Sequence, residues 1–132
     1  MGGAYATDCL VRLPVYEHHR RTQAMGVRAI GASFHDRTAV PTAVNHELVD
    51  VAFARYNPGH PDAREDMFPL VSADRTTRLF NFTSTSGFVP AAQRRALGVP
   101  RSLWQPNVTD CYRFALSRQE IEVVSQDVVE IR

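Results

Sequence analysis

The alternation of hydrophobic and polar positions is clearest in residues 78–83, RLFNFT. On an extended chain Phe80 and Phe82 fall on one face and Asn81 on the other. This pattern predicts a β-strand. Residues 111–116, CYRFAL, alternate in the same way and predict a second strand. Residues 9–16, CLVRLPVY, predict a short edge or bent strand, because Pro14 has no N–H to donate to a ladder.

A helical period runs through residues 43–56, AVNHELVDVAFARY. Its apolar side chains recur at i, i+4, i+7 and i+8, which predicts an amphipathic helix. A short helix is also predicted over 90–97, where Pro90 suits the first turn and Gly98 the position after the end. Residues 117–132 leave two interpretations open. Ser117 and Glu120 fit a helical capping box, whereas the abundance of Val and Ile favours a strand.

The segments 17–42 and 57–76 show no sustained period and are interpreted as irregular. The fold class predicted from all these patterns is α+β: a small irregular domain with short strands, two or three short helices and long extended loops. Residues 1–132 are expected to form a single domain or an extended subunit. Ordering a loop with few apolar groups costs about 1–2 kcal/mol per residue, so partner chains are expected to order these segments. The proposed contacts with the partners are Arg64, Met67, Phe68, Leu70, Val71 and Arg75.

Composition narrows the possible functions. The chain has 132 residues, 44% hydrophobic and 22% charged, with a net charge of only +1, so no nucleic-acid partner is expected. All its basic residues are arginines, a bias that suits protein interfaces as well as a GC-rich genome. No apolar run approaches the length of a membrane span, and the first residues lack the features of a signal or transit peptide. An intracellular location, cytoplasmic or cytoskeletal, is therefore expected. Cys9 and Cys111 are interpreted as small buried apolar residues.

The chain has no complete cofactor or metal motif. It lacks a P-loop, a G-x-G-x-x-G loop, a G-x-S-x-G elbow and an H-E-x-x-H pair. Its histidines are not spaced as metal ligands, and neither cysteine is close to them in sequence. No metal site and no resident cofactor are predicted.

Three patches occur in an order that suggests chemistry. Arg12 comes first, Ser84, Thr85 and Ser86 follow, and Glu120 and Glu122 come near the end. This order resembles the Arg, Ser-Thr-Ser and Glu-x-Glu pattern of arginine-type mono-ADP-ribosyltransferases. The resemblance implies that Arg12 and the Ser-Thr-Ser residues bind NAD. It also implies that Glu122 stabilises an oxocarbenium-like transition state and that Glu120 activates the acceptor.

The favoured function is a non-catalytic structural or accessory subunit that protein partners order within a larger assembly. A cytoskeletal setting such as ciliary microtubules, or an organellar complex, would fit that function. The alternative is an ADP-ribosyltransferase-like enzyme that uses NAD.

Overall fold

The structure is a computed structural model that describes residues 17–18, 21–86 and 88–125. These residues contain β1 (Gly31–Phe34), α1 (Val40–Asn45), β2 (Val51–Arg55), α2 (Ala63–Asp66), β3 (Arg78–Phe82), α3 (Ala91–Ala96), α4 (Val108–Leu116) and β4 (Val123–Val124). Short 3-10 helices cover Arg37–Ala39 and Phe68–Leu70, and residues 21–24 are also helical. Short helices combine with one small sheet, which confirms the predicted α+β class.

The four strands form one sheet in the order β1-β2-β3-β4, and every neighbouring pair is parallel. Parallel neighbours need a crossover connection, and helical segments supply it between successive strands. Each crossover steps to the next strand in the same direction. Since such crossovers are right-handed, all of them should pass over the same face of the sheet.

The hydrophobic core shows that α1, α2 and α4 pack on one face. Along β2, Ala52 and Ala54 are buried, and along β3, Leu79 and Asn81 are buried. The side chains that cover this face come from α1, α2, the second 3-10 helix and α4. They include Val40, Val44, Ala63, Met67, Phe68, Phe114 and Ala115.

Tyr56 lies at the centre of this helical layer and is only 1% exposed. Its ring stacks on Phe114 with 4.7 Å between centroids and meets Phe68 edge to face at 5.0 Å. The Arg64 Nε donates to the Tyr56 hydroxyl at 2.9 Å, so the one polar atom of this buried ring has a partner. The core therefore joins the helix after β2 to the helix before β4.

The prediction of one helix over 43–56 is wrong. Helix α1 begins at Val40 and ends at Asn45, and residues Val51–Arg55 form β2. Glu47, with φ of 53°, lies in the left-handed region and breaks the helical path. The apolar spacing combined residues of α1, the following turn and β2, of which Val44 and Ala52 face the core and Val51 faces the other side of the sheet.

The prediction of a strand over 111–116 is also wrong, because these residues belong to α4. Asn107 accepts a hydrogen bond from the Asp110 backbone N–H, and the Asp110 carboxylate accepts one from the Asn107 N–H. This capping box starts the helix. Cys111 and Ala115, four residues apart, are its buried positions. The interpretation of Cys111 as a buried residue is confirmed, while Cys9 lies outside the described residues.

Two other predictions are confirmed. Residues Arg78–Phe82 form β3, and Ala91–Ala96 form a short helix that is followed by Gly98 with φ of 68°. Of the two interpretations of 117–132, the strand holds at Val123–Val124. Residues 126–132 and the strand predicted at 9–16 lie outside the described residues.

The segments interpreted as irregular contain short elements of this domain. Strand β1 and the first half of α1 lie in 17–42, and α2 lies in 57–76. Met67 is 0% and Phe68 2% exposed, and both pack in the core of this chain. The expectation that these two residues anchor a partner chain is therefore wrong, whereas Leu70, at 61% exposure, does face outward.

Candidate functional site

The carboxyl ends of the parallel strands meet at one edge of the sheet, where open α/β sheets and α/β barrels commonly bind ligands. The residues that follow the strands are His35 after β1, Tyr56 and Asn57 after β2, Thr83 and Ser84 after β3, and Ser125 after β4. Most of these side chains are polar, and hydrogen bonds join the loops that carry them.

Asn57 connects the loop after β2 with the loop after β3. Its Nδ2 donates to the Thr83 carbonyl oxygen at 2.9 Å, and its Oδ1 accepts from the Gly59 N–H at 3.0 Å. The His60 Nδ1 lies 3.2 Å from the same Oδ1. Asn57 is 0% exposed, so its amide holds the two loops in fixed relative positions.

A second buried amide, Asn81, fixes the same edge from within β3. Its Nδ2 donates to the carbonyl oxygens of Ala54 at 3.2 Å and Tyr56 at 2.8 Å. The Ser84 hydroxyl donates to the Asn81 Oδ1 and also lies 3.1 Å from the Ser125 carbonyl oxygen. Ser84 is 0% exposed and has these partners within the protein, so it helps to hold β4 against β3.

The polar edge also contains backbone strain. Thr83 has φ of 54°, a conformation that β-branched residues rarely adopt. Its carbonyl oxygen accepts from both Asn57 and the Ser86 N–H, the latter at 3.1 Å. These bonds hold the strained residue in place. Nearby, the exposed His35 meets the Phe82 ring edge to face at 5.9 Å.

Of the six residues singled out from the sequence, the five that the structure describes fall into two groups that lie apart. Ser84 is buried beyond the carboxyl end of β3, with Thr85 and Ser86 half-buried after it. The Glu122 N–H instead bonds the Leu79 carbonyl oxygen, near the amino end of β3. Three further residues of β3, roughly 10 Å of strand, separate that level from the end of the strand.

The two glutamates have ion-pair partners of their own. The Glu120 carboxylate accepts from Arg118 at 2.8 Å, and Glu122 lies 3.8 Å from Arg78. Arg12 lies outside the described residues. The ADP-ribosyltransferase interpretation and the role of NAD in it stay predictions, which NAD consumption by the purified protein would test.

The second candidate region is the face of the sheet away from the helices. The register places Ser33, Phe53, Phe80 and Val123 side by side across the four strands. Phe53 and Phe80 meet edge to face at 5.4 Å, and neither belongs to the helix-side core. Both rings are half-buried, so two large aromatic side chains stay accessible to solvent in the middle of this face.

Charged and polar residues border these aromatic rings. Toward the amino edge the same face carries Arg78, whose side chain is 68% exposed, and toward the carboxyl edge it carries Arg55 and Phe82. We call Val51, Phe53, Phe80, Phe82 and Val123 the open face. Its alternate spacing was visible in RLFNFT, but the 43–56 helix prediction concealed the matching VAFAR strand.

Outside both regions, an ion pair joins the connection between β1 and β2 to the connection between β2 and β3. Arg37 donates to the Asp66 carboxylate from Nε at 2.7 Å and from Nη2 at 2.6 Å. Hydrogen bonding to this guanidinium lowers the pKa of Asp66 below its ordinary value. The contact positions α2 beneath the carboxyl edge.

Within residues 17–18, 21–86 and 88–125, no cluster of three or more His, Cys, Asp or Glu side chains could hold a metal ion. The helices in those ranges are all too short or too polar to cross a membrane.

Comparisons of the chain with protein-family models, with curated proteins and with solved structures found no match.

Proposed function

We propose that this protein is a non-catalytic subunit whose open face docks on a protein partner. The observation that carries the proposal is the one-sided packing of a wholly parallel sheet. Wholly parallel sheets almost always have both faces covered, because their helical crossovers usually lie on both sides. Here α1, α2 and α4 cover one face, while Phe53 and Phe80 on the other face are only half-buried.

The composition of the open face also suits a protein partner. Aromatic residues and arginine are enriched where proteins bind each other. Here Phe53 and Phe80 lie between the levels of Arg55 and Arg78, and Phe82 pairs with Arg55. The face is built on hydrogen-bonded strands, so its side chains are held in register before binding. A preorganised surface loses less conformational entropy on association.

A photo-cross-linking experiment in the cells that make the protein would test this proposal. Phe80 is replaced by benzoylphenylalanine, and a matched variant carries the same replacement at Leu70, which is exposed on the helical side. The expected result is a discrete protein adduct at position 80 and none of that mass at position 70. Equal labelling at both positions, or no adduct at position 80, would contradict the proposal.

A second candidate function is ligand binding at the carboxyl edge, and the strain at Thr83 favours it. A residue held in a rarely populated conformation by buried hydrogen bonds is a feature that clusters at binding sites. His35 and Arg55 could contact a small polar ligand there. Nuclear magnetic resonance titration with a panel of small metabolites should then shift the amides of 35, 57 and 83–86 together. Shifts scattered over the surface would contradict this function.

A further inference from the structure

We propose that the open face is covered by a second copy of this chain, and that the two four-stranded sheets close into one eight-stranded parallel barrel. This inference rests on the proposed function and names its partner. Three surfaces of the described part of the chain are unpaired or only half-buried: the outer edges of β1 and β4, which pair with no other described strand, and the open face with its half-buried Phe53 and Phe80 rings. Barrel closure by a second copy covers all three.

The edges of the sheet complement each other in direction. The Ile30 carbonyl oxygen accepts from the Asp50 N–H at 2.9 Å and the Val51 N–H at 3.1 Å, so it points toward β2. Backbone groups alternate in direction along a strand, so those of Gly31 and Ser33 point away from β2. At the opposite end of the sheet, β4 pairs only with β3 among the described strands.

A two-fold axis along the barrel places β4 of each copy beside β1 of the other. Both new pairs are then parallel, as all existing pairs are, and the four open edges become two ladders. Eight is also the strand number at which a barrel interior is just wide enough for side chains to fill it. Two copies of a four-stranded sheet supply that number.

The side chains of the open face suit such an interior. At the middle level β2 and β3 carry the large Phe53 and Phe80, whereas β1 and β4 carry the smaller Ser33 and Val123. Alternation of large and small residues is how small barrels fill their taper. A hypothetical Cβ on Gly31 would lie 3.5 Å from the Phe53 ring, so the small β1 residues already accommodate that ring.

The residues at the carboxyl ends of the strands, beyond Phe53 and Phe80, would form the mouth of the barrel. There His35, Arg55 and Phe82 of each copy would meet those of the other around one opening. This is the carboxyl edge described above, where barrel enzymes place their ligand sites. The second copy would therefore complete the site as well as cover the apolar face.

Light scattering on the purified chain would test the association. The expected mass is twice that of one chain, and Phe80→Arg should weaken the dimer by about 30-fold or more, as loss of a central aromatic contact does. Leu70→Arg is the control, because Leu70 is exposed on the helical side and should leave the mass unchanged. A wild-type monomer at high concentration, or a dimer that Phe80→Arg does not affect, would overturn the proposal.

An edge variant keeps the test informative if Phe80→Arg fails to fold. Ser33→Pro removes an N–H that points away from β2, so it should abolish dimers while circular dichroism keeps the wild-type spectrum. Ser33→Ala keeps the N–H and should stay dimeric. A Ser33→Pro dimer of wild-type affinity would overturn barrel closure.

Disulfide trapping distinguishes barrel closure, in which β1 of one copy lies beside β4 of the other, from face-to-face stacking of the two sheets. In a Cys9→Ser background, Ser33→Cys chains mixed with Val123→Cys chains should form a mixed disulfide dimer, whereas Ser33→Cys chains alone should not cross-link. Cross-linking of position 33 to position 33 would instead indicate sheets stacked face to face and would refute the barrel. A monomeric purified chain that still cross-links to a different protein at position 80 in cells would defeat the second copy while supporting the proposed function.

Discussion

Asn57 donates a hydrogen bond from its Nδ2 to the carbonyl oxygen of Thr83 at 2.9 Å, and this bond joins the loops after β2 and β3. The acceptor belongs to a residue with φ of 54°. The buried amide thus stabilises a backbone conformation that the threonine side chain disfavours, at the edge where a parallel sheet offers its ligand site.

Thr83→Asn should stabilise the protein by about 1 kcal/mol, because asparagine tolerates the left-handed region and β-branched residues do not. Urea unfolding of the purified chain measures this. The control is Thr85→Asn, two residues along the same loop, which should change stability by less than about 0.5 kcal/mol. A destabilised Thr83→Asn protein would show that the threonine side chain makes contacts worth more than the strain.

Met67→Ala should destabilise the chain by about 2–4 kcal/mol, because Met67 is fully buried against the helix-side core. Leu70→Ala, three residues later and 61% exposed, should cost well under about 1 kcal/mol. Both are measured by chemical denaturation under identical conditions. Similar losses for the two variants would contradict the placement of the second 3-10 helix.

Asn81→Leu should cost about 2–4 kcal/mol, because it leaves the Ala54 and Tyr56 carbonyl oxygens without their buried donor and removes the acceptor of Ser84. Ser84→Ala should cost less, about 1 kcal/mol, since Asn81 keeps its two donor bonds. Thermal and urea unfolding should rank the variants in this order. The reverse order would show that the Ser84 contacts to β4 matter more than the amide.

Asn81→Asp offers a pH-dependent version of the same test. A buried carboxylate facing two carbonyl oxygens favours the protonated form, so its pKa in the folded state should rise above its unfolded value. The contribution of this carboxyl group to the free energy of unfolding is then fully present below the unfolded pKa, about 3.9, and is lost as pH rises through the folded pKa. Relative to wild type, this variant should be weakest near neutral pH. A pH-independent difference would contradict the buried donor role of Asn81.

The Arg37–Asp66 contact should contribute to acid denaturation. Hydrogen bonding to Arg37 lowers the folded pKa of Asp66, so the contact stabilises the protein above the unfolded pKa, and its contribution is lost as pH falls through the folded value. The urea midpoints of wild type and Asp66→Asn should therefore differ at pH 6 and converge only as pH falls from about 3.9 through the lower folded pKa of Asp66. Glu65→Gln, one residue earlier on α2, serves as the control. A difference that persists at low pH would indicate a packing effect instead of a charge effect.

The sequence predicted those elements whose signals are local. Alternation of Phe80 and Phe82 with Asn81 identified β3, and Pro90 with Gly98 bounded a short helix. In both cases backbone propensity and side-chain pattern agree within a few residues. It also identified Cys111 as buried, although within a predicted strand that proved to be a helix.

The neighbouring segments needed their tertiary partners. VAFAR carries apolar residues at every position but the last, so period alone does not separate a buried parallel strand from a helix. Hydrogen bonding to β1 on one side and β3 on the other makes this segment a strand and not a helix. Likewise the sequence of Met67 and Phe68 is compatible with contacts to a partner chain. Only the packing of the segment after α2 against Tyr56 places both side chains in the core of this chain.

The candidate sites depended on tertiary structure almost entirely. The sequence singled out Ser84 and Glu122 for their order along the chain, but parallel pairing of β3 with β4 places Glu122 beside Leu79 and Ser84 beyond the strand end. The open face arises in the same way. Hydrophobic pattern determined that Phe80 lies on the side of its strand opposite Asn81, whereas Phe53 was assigned to a helix. The tertiary structure decided that α1, α2 and α4 all pack on the opposite face of the sheet. The face that a crossover helix covers depends on the order of the strands, which no single segment of the sequence specifies.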